Sequence, residues 1–292
     1  MDDIAISRLT KTYGKTTGVE DLTLQVEKGE FFGFIGPNGA GKSTTIRTLL
    51  GLIRPTKGSA WVLGYNIKKG QKEILRRTGY LSSEAVFYPD MRVKELLRLS
   101  EKLHRKKCRQ QADELCERLQ LDPSRKIEDL SFGNRKKVGI VCALQHDPEL
   151  LILDEPTSGL DPLIQHEIFQ ILRERNEQGT TVFLSSHILT EVEQNCTRAA
   201  IIRRGRIVAC DTVEALSGNK AKLVRFRGSA DISGLPGISN CKSIGQITSF
   251  LYTGDSDRLL RVLTAGNVQD LSIGEPDLED SFLHYYQEGG AQ

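Results

Sequence analysis

The run FFGFIGPNGAGKSTTIRTLLGL, residues 31–52, leaves this chain few folds to choose from. Its first five residues read as a fully buried strand, and its last ten carry apolar residues at helical spacing. Between them GPNGAGKS (36–43) fits the pattern G-x-x-x-x-G-K-[ST] in the strand-to-helix context that pattern requires. The backbone of Gly36, Pro37, Asn38, Gly39, Ala40 and Gly41 can wrap closely enough for its N–H groups to point at phosphate oxygens. A helix over 42–50 adds its positive N-terminal end. Lys42 reaches the β- and γ-phosphates of a nucleotide, and Ser43 offers a hydroxyl to Mg²⁺ with Thr44 beside it.

LLILDEP (150–156) supplies a second half. Its apolar residues make a central strand, and Asp154 and Glu155 emerge at the end of it, near the phosphate loop in a parallel sheet. Asp154 is placed to hold Mg²⁺ and Glu155 to polarise an attacking water, because phosphoryl transfer needs positioning and charge more than covalent chemistry. TTVFLSS is a third buried run, and LTLQV alternates as a half-buried strand should. Val93, Leu96, Leu97 and Leu103 fall at helical spacing, as do Ile168, Ile171 and Leu172. Buried strands alternating with helices imply a mainly parallel α/β sheet covered on both faces.

Composition narrows the classes. Forty basic residues stand against 38 acidic ones, net +2, so no bulk field draws the chain to nucleic acid, and none is expected as a partner. No stretch approaches the ~18 apolar residues of a membrane span, and the acidic start MDDIAISRLT does not read as a signal peptide. Six scattered cysteines without a CxxC pair read as reduced thiols of a cytoplasmic protein. EKLHRKKCRQQ (101–111), the densest basic run, reads as a solvated helix surface. Near LSGNK (216–220) the texture turns richer in Gly, Ser and Asp, which divides the chain into 1–217 and 218–292.

Taken in order behind GPNGAGKST, the segments LSFGN (130–134), LLILDEP, SGLD (158–161) and SSH (185–187) resemble those of the ATP-binding subunit of an ABC transporter, over roughly residues 3 to 215. The resemblance implies an α/β P-loop NTPase with a parallel-sheet core, an antiparallel β subdomain, a helical subdomain at about 84–146 and a small C-terminal α+β domain. It implies ATP and Mg²⁺ as cofactors and a homodimer or heterodimer of ATPase subunits. Ser131, Gly133 and Asn134 would open a helix over 133–145 toward the ATP held by the partner, and Asp161 would cross the interface. Some of the cations Arg135, Lys136 and Lys137 on that helix are expected to face solvent. Tyr13 stands where the family stacks an aromatic on adenine, and His187 where it contacts the γ-phosphate. Phe132 and Asn134 depart from the usual LSGGQ. The Gln usual after the strand GYL is also missing, and Ser83 or Glu84 stands in its place, with Glu84 as a candidate metal contact.

AVFYP (85–89) offers a contact for a membrane partner. EPDLEDSFLHYY, with Leu278, Phe282 and Tyr285 along one helix face, resembles the C-terminal extension of ATPases paired with ABC-2-type permeases. The expected function is ATP hydrolysis driving such a permease, toward export, from the inner face of the cell membrane. A soluble ABC ATPase acting as a regulator or sensor without transport is the alternative.

Overall fold

The computed structural model describes residues 2–84, 86–216 and 222–274. The chain divides into two compact units, Met1–Cys210 and Asp211–Gln292. The sequence division after 217 and the EPDLEDSFLHYY segment both fall on residues outside those described.

The first unit opens with β1 (Asp2–Tyr13) and β2 (Thr16–Glu27). Along β2, Leu22, Leu24 and Val26 are buried while Thr23 and Gln25 face solvent, the period-two pattern of a strand with one covered face. β3 (Phe31–Ile35) is buried at every residue and leads through the phosphate-type loop into α1 (Lys42–Leu49). β4 (Lys57–Val62) and β5 (Tyr65–Asn66) complete an antiparallel sheet of order β2-β1-β4-β5. After α2 (Gln71–Arg77) and β6 (Thr78–Leu81) come three helices, α3 (Val93–His104), α4 (Arg109–Arg118) and α5 (Phe132–Leu144).

The chain then returns through β7 (Leu150–Asp154), α6 (Pro162–Glu177), β8 (Thr181–Ser186), α7 (Leu189–Asn195), β9 (Arg198–Arg203) and β10 (Arg206–Thr212). These strands join β3 and β6 in a six-stranded sheet of order β10-β9-β3-β8-β7-β6. Pairing from β9 through β6 is parallel. β7 and β8 are buried throughout, as strands covered on both faces are. Register sets the strand ends level: Ile35 pairs with Ser186, and Asp154 with Ser185.

The second unit holds α8 (Val213–Leu216), β11 (Lys222–Ser229), β12 (Ile238–Ile244), β13 (Ile247–Tyr252), α9 (Ser256–Ala265) and β14 (Asn267–Gly274). Its sheet, β12-β13-β11-β14, is antiparallel. Leu259 and Leu263 of α9 share a core with Val224, Phe226, Phe250 and Tyr252.

Several local expectations change. Val93, Leu96 and Leu97 are buried but Leu103 is 72% exposed, because the last turn of α3 overhangs a groove instead of the core. Residues 101–111 are not one helix: Arg105 turns left-handed at φ 56° and stops α3, and Cys108 is buried ahead of α4. Lys136 and Lys137 are both buried, and only Arg135 of that trio is partly exposed.

The groove, ≈ 660 Å³, is lined by Arg76, Thr78, Tyr80, Leu103, Cys142 and His146 among others. On its wall the rings of His104 and His146 stack 3.6 Å apart. Neither His146 nitrogen nor the Thr78 hydroxyl makes a well-aligned hydrogen bond among the described residues, although backbone groups of Cys142 and Thr78 approach the imidazole. Burial, and then the neighbouring His104, push the His146 imidazole down to about 4. The unfolded chain takes a proton here below about pH 6.5, whereas the folded chain resists until about pH 4. Stability present above that window is therefore lost as pH falls through it, by about 2 kcal/mol between pH ~7.5 and ~5. His146→Leu should remove that part of the acid slope, read from urea midpoints at the two pH values.

Candidate active site

Three neighbouring strand ends build the site. β3 feeds the glycine loop, β7 delivers Asp154 and Glu155, and β8 between them delivers Ser185, Ser186 and His187. The loop can take its path because two positions lack a Cβ. One on Gly36 would meet Ile202 O at 2.5 Å, and one on Gly41, at φ 110°, would meet Gly18 O at 2.4 Å. The Lys42 ammonium, almost fully buried, donates to Gly36 O at 2.5 Å and Pro37 O at 3.4 Å.

Asp154 is 1% exposed and accepts two hydroxyls, Ser43 Oγ at 2.7 Å and Ser185 Oγ at 2.9 Å. Such a carboxylate beside a serine hydroxyl is a pair of hard oxygen donors that fits Mg²⁺. Glu155 lies 3.3 Å from Lys42 through Oε1 and 2.6 Å from His187 Nδ1 through Oε2. Oε1 is buried and makes an ion pair there without hydrogen-bond geometry. Glu155 also holds a left-handed backbone, φ 53°, which is uncommon for a residue with a side chain and clusters at functional sites. Its N–H donates to Ser185 O at 2.9 Å, and its carbonyl accepts Ser158 Oγ at 3.1 Å.

A cleft of ≈ 380 Å³ gathers most of the residues read from sequence: Tyr13, Pro37, Asn38, Gly39, Gly41, Lys42, Ser43, Thr44, Asp154 and Glu155. Gly36 and Ala40 form the loop behind it, and His187 joins through Glu155. Tyr13 is about half exposed, with the Lys11 ammonium 4.9 Å from its ring centroid. Ser83 lines the cleft; Glu84 is exposed and outside its lining.

Ser131, Gly133, Asn134 and Asp161 stand apart from this cleft. Ser131 caps α5, accepting from Asn134 N at 3.3 Å, and Asp161 caps α6, accepting from Ile164 N at 3.1 Å. Phe132, the departure from LSGGQ, packs its ring against Gly159, where a Cβ would meet it at 2.6 Å.

Sequence reasoning missed Ser185, Glu191, Ser158 and the buried state of Lys136. Ser185 could have been found, since it pairs with the last residue of LLILD once the two buried runs are laid side by side. Glu191 had no motif to mark it. It is 8% exposed, accepts the hydroxyls of Thr157 and Ser186, and is pushed up by burial against those hydrogen bonds.

Residues 19–158 match the family model described as ABC transporter. The chain is 35% identical to the bacitracin transport ATP-binding protein BcrA of Bacillus licheniformis, over 96% of each chain. It is 34% identical to the linearmycin resistance ATP-binding protein LnrL of Bacillus subtilis, over 94% of this chain and 96% of that one. A solved structure described as an ATP-binding subunit of an ABC transporter superposes with a TM-score of 0.70 at 32% identity, covering 74% of this chain and 92% of its own. With a phosphate loop and a paired Asp-Glu strand end converging in one cleft, and a histidine bonded to that Glu, the chain belongs to the ATP-binding subunits of ABC transporters, a family of ATPases.

Proposed function

We propose that this chain hydrolyses ATP as a dimer closed around two nucleotides and thereby drives a separate ABC-2-type permease, in the direction of export, from the cytoplasmic face of the cell membrane. The observation that carries the reading is the division of the motifs. Lys42, Ser43, Asp154 and Glu155 share one cleft, while Ser131, Gly133 and Asn134 lie outside it, free to meet a nucleotide held by another subunit. Ser43 and Asp154 would hold Mg²⁺, which supplies charge neutralisation at the phosphates when bound. Glu155 would orient water and accept its proton, and His187, hydrogen-bonded to Glu155, would contact the terminal phosphate. Tyr13 supplies a partly exposed ring for adenine at the cleft's edge.

Among the described residues no helix is long and apolar enough to cross a membrane. Val86, 85% exposed, and Tyr88, 65% exposed, sit between β6 and α3 and offer apolar surface for the permease. The export direction draws on a relative named for it, the Nod factor export ATP-binding protein I of Cupriavidus pinatubonensis, 33% identical over 96% of this chain and 89% of that one.

Recovery of the tagged chain from membranes tests the reading. A polytopic membrane protein should co-purify with it and raise its ATP turnover. ATP-dependent dimers that carry no membrane protein would favour a soluble regulator instead. A narrower test concerns the missing Gln. Ser83→Ala should shift the Mg²⁺ dependence of turnover about three- to tenfold, the worth of one polar contact, while Glu84→Gln leaves it within about twofold. The reverse pattern, read from Mg²⁺ titrations of the ATPase rate, would assign the role to Glu84.

A further inference from the structure

Lys136 is 1% exposed, although it lies in the early turns of α5, where the helix N-terminus opposes a cation. A buried ammonium is expensive unless its three donors are matched and acidic groups face it. Its partners come from two loops of the catalytic cleft. Lys136 Nζ donates to Ser83 O at 3.1 Å, in the loop after β6, and reaches Ser158 Oγ at 3.5 Å, in the loop after β7. Ser158 Oγ in turn donates to Glu155 O at 3.1 Å. Burial pushes the Lys136 ammonium down, and the carboxylates of Asp154 and Glu155 oppose that push.

One side chain on the LSFGN helix thus touches the backbone beside the cleft-lining Ser83, and through one hydroxyl it touches the backbone of Glu155. That second contact falls where Glu155 holds its left-handed conformation. A turn of this kind persists only when the surroundings over-determine it. Glu155 N on Ser185 O fixes one side of the turn, and the Ser158 contact fixes the other.

We propose that Lys136 is a positioning residue for ATP hydrolysis, holding the Ser83 loop and the Glu155 turn in register with the helix that opens at LSFGN. The proposal rests on Glu155 as the carboxylate that orients water. Misplacing that carboxylate by about 1 Å is enough to cost a large factor in rate without touching the phosphate loop.

The test uses the full chain and compares Lys136→Met and Lys136→Arg with wild type. Lys136→Met replaces the buried charge by an apolar group of similar length, which removes the desolvation cost of the ammonium but leaves Ser83 O without its donor. Its ATPase kcat should fall about tenfold to a hundredfold, with KM for ATP within about threefold and the protein still folded at the assay temperature, read from its thermal midpoint. Lys136→Arg, which keeps donors and charge, should recover about tenfold of the loss. A kcat within twofold of wild type in Lys136→Met would overturn the proposal. So would a fall in kcat that travels with lost ATP affinity and a lowered thermal midpoint, or one that arginine does not rescue. Glu155→Gln is measured alongside. Near-normal turnover there removes the underlying role of Glu155, whereas an inactive Glu155→Gln beside an unaffected Lys136→Met removes the role of Lys136 alone.

Discussion

Replacing Glu155 by Gln should lower steady-state ATP turnover by about two to three orders of magnitude while ATP affinity stays within about threefold. The two outcomes separate because the side chain touches the reaction and not the anchoring of phosphate. Oε1 faces Lys42 without hydrogen-bond geometry and Oε2 meets His187, so an amide of equal size fills the same space but cannot take a proton from water. The variant should accumulate an ATP-bound dimer, read by size-exclusion chromatography with retained nucleotide. Lys42→Ala should fail differently, losing about tenfold to a hundredfold in ATP affinity itself, the worth of a charge-assisted contact. Near-normal turnover in Glu155→Gln would take that residue out of the catalytic role.

The second large effect is a contrast between mixed dimers. One chain carries Lys42→Ala and its partner carries Gly133→Asp, which sets bulk and negative charge at the start of α5, where the helix end favours an anion. Gly133 has little spare room, since a Cβ would lie 3.2 Å from Gly159 O, so the lesion is local and severe. If LSFGN serves the partner's nucleotide, both lesions fall in one composite site and the other site is intact. Such a dimer should hydrolyse ATP within about twofold of one pairing Lys42→Ala with wild type. If LSFGN serves its own chain, each site is damaged and activity vanishes. The comparison holds provided the dimer of Lys42→Ala and wild type is itself active. A dead mixed dimer beside that active control would overturn the cross-subunit reading.

Much of the site was legible because its chemistry is local. A run such as FFGFI or LLILD announces a buried strand by composition, and a glycine loop opening into Lys42 and Ser43 announces its own geometry. The order β3-β8-β7, which lets the Ser185 hydroxyl donate to Asp154, is a long-range register that no window of sequence contains. Ser83 and Glu84 differ by one step along the backbone, so motif spacing could not choose between them, while the path of the loop turns one into the cleft and the other out. Leu103 and the break at Arg105 were missed because apolar spacing shows which face a helix buries and not where it stops. Which of Arg135, Lys136 and Lys137 would be buried was not legible because charge normally faces solvent, and only the carbonyl and hydroxyl of two distant loops make the burial of Lys136 tolerable.

Asp161 already has a task inside its own chain. One carboxylate oxygen, Oδ1, accepts the Ile164 N–H at the start of α6, and Oδ2 is left over. Any neighbour that recruits this side chain must approach along that second oxygen or else strip the helix of its cap, a loss of about 1 kcal/mol. The two duties pull on opposite ends of one group, so the angle of approach is restricted before any partner arrives. Asparagine caps a helix about as well as aspartate does but presents an amide where the second oxygen stood. Asp161→Asn therefore keeps the intramolecular duty and alters only the outward one, a separation that alanine, which abolishes both, cannot give.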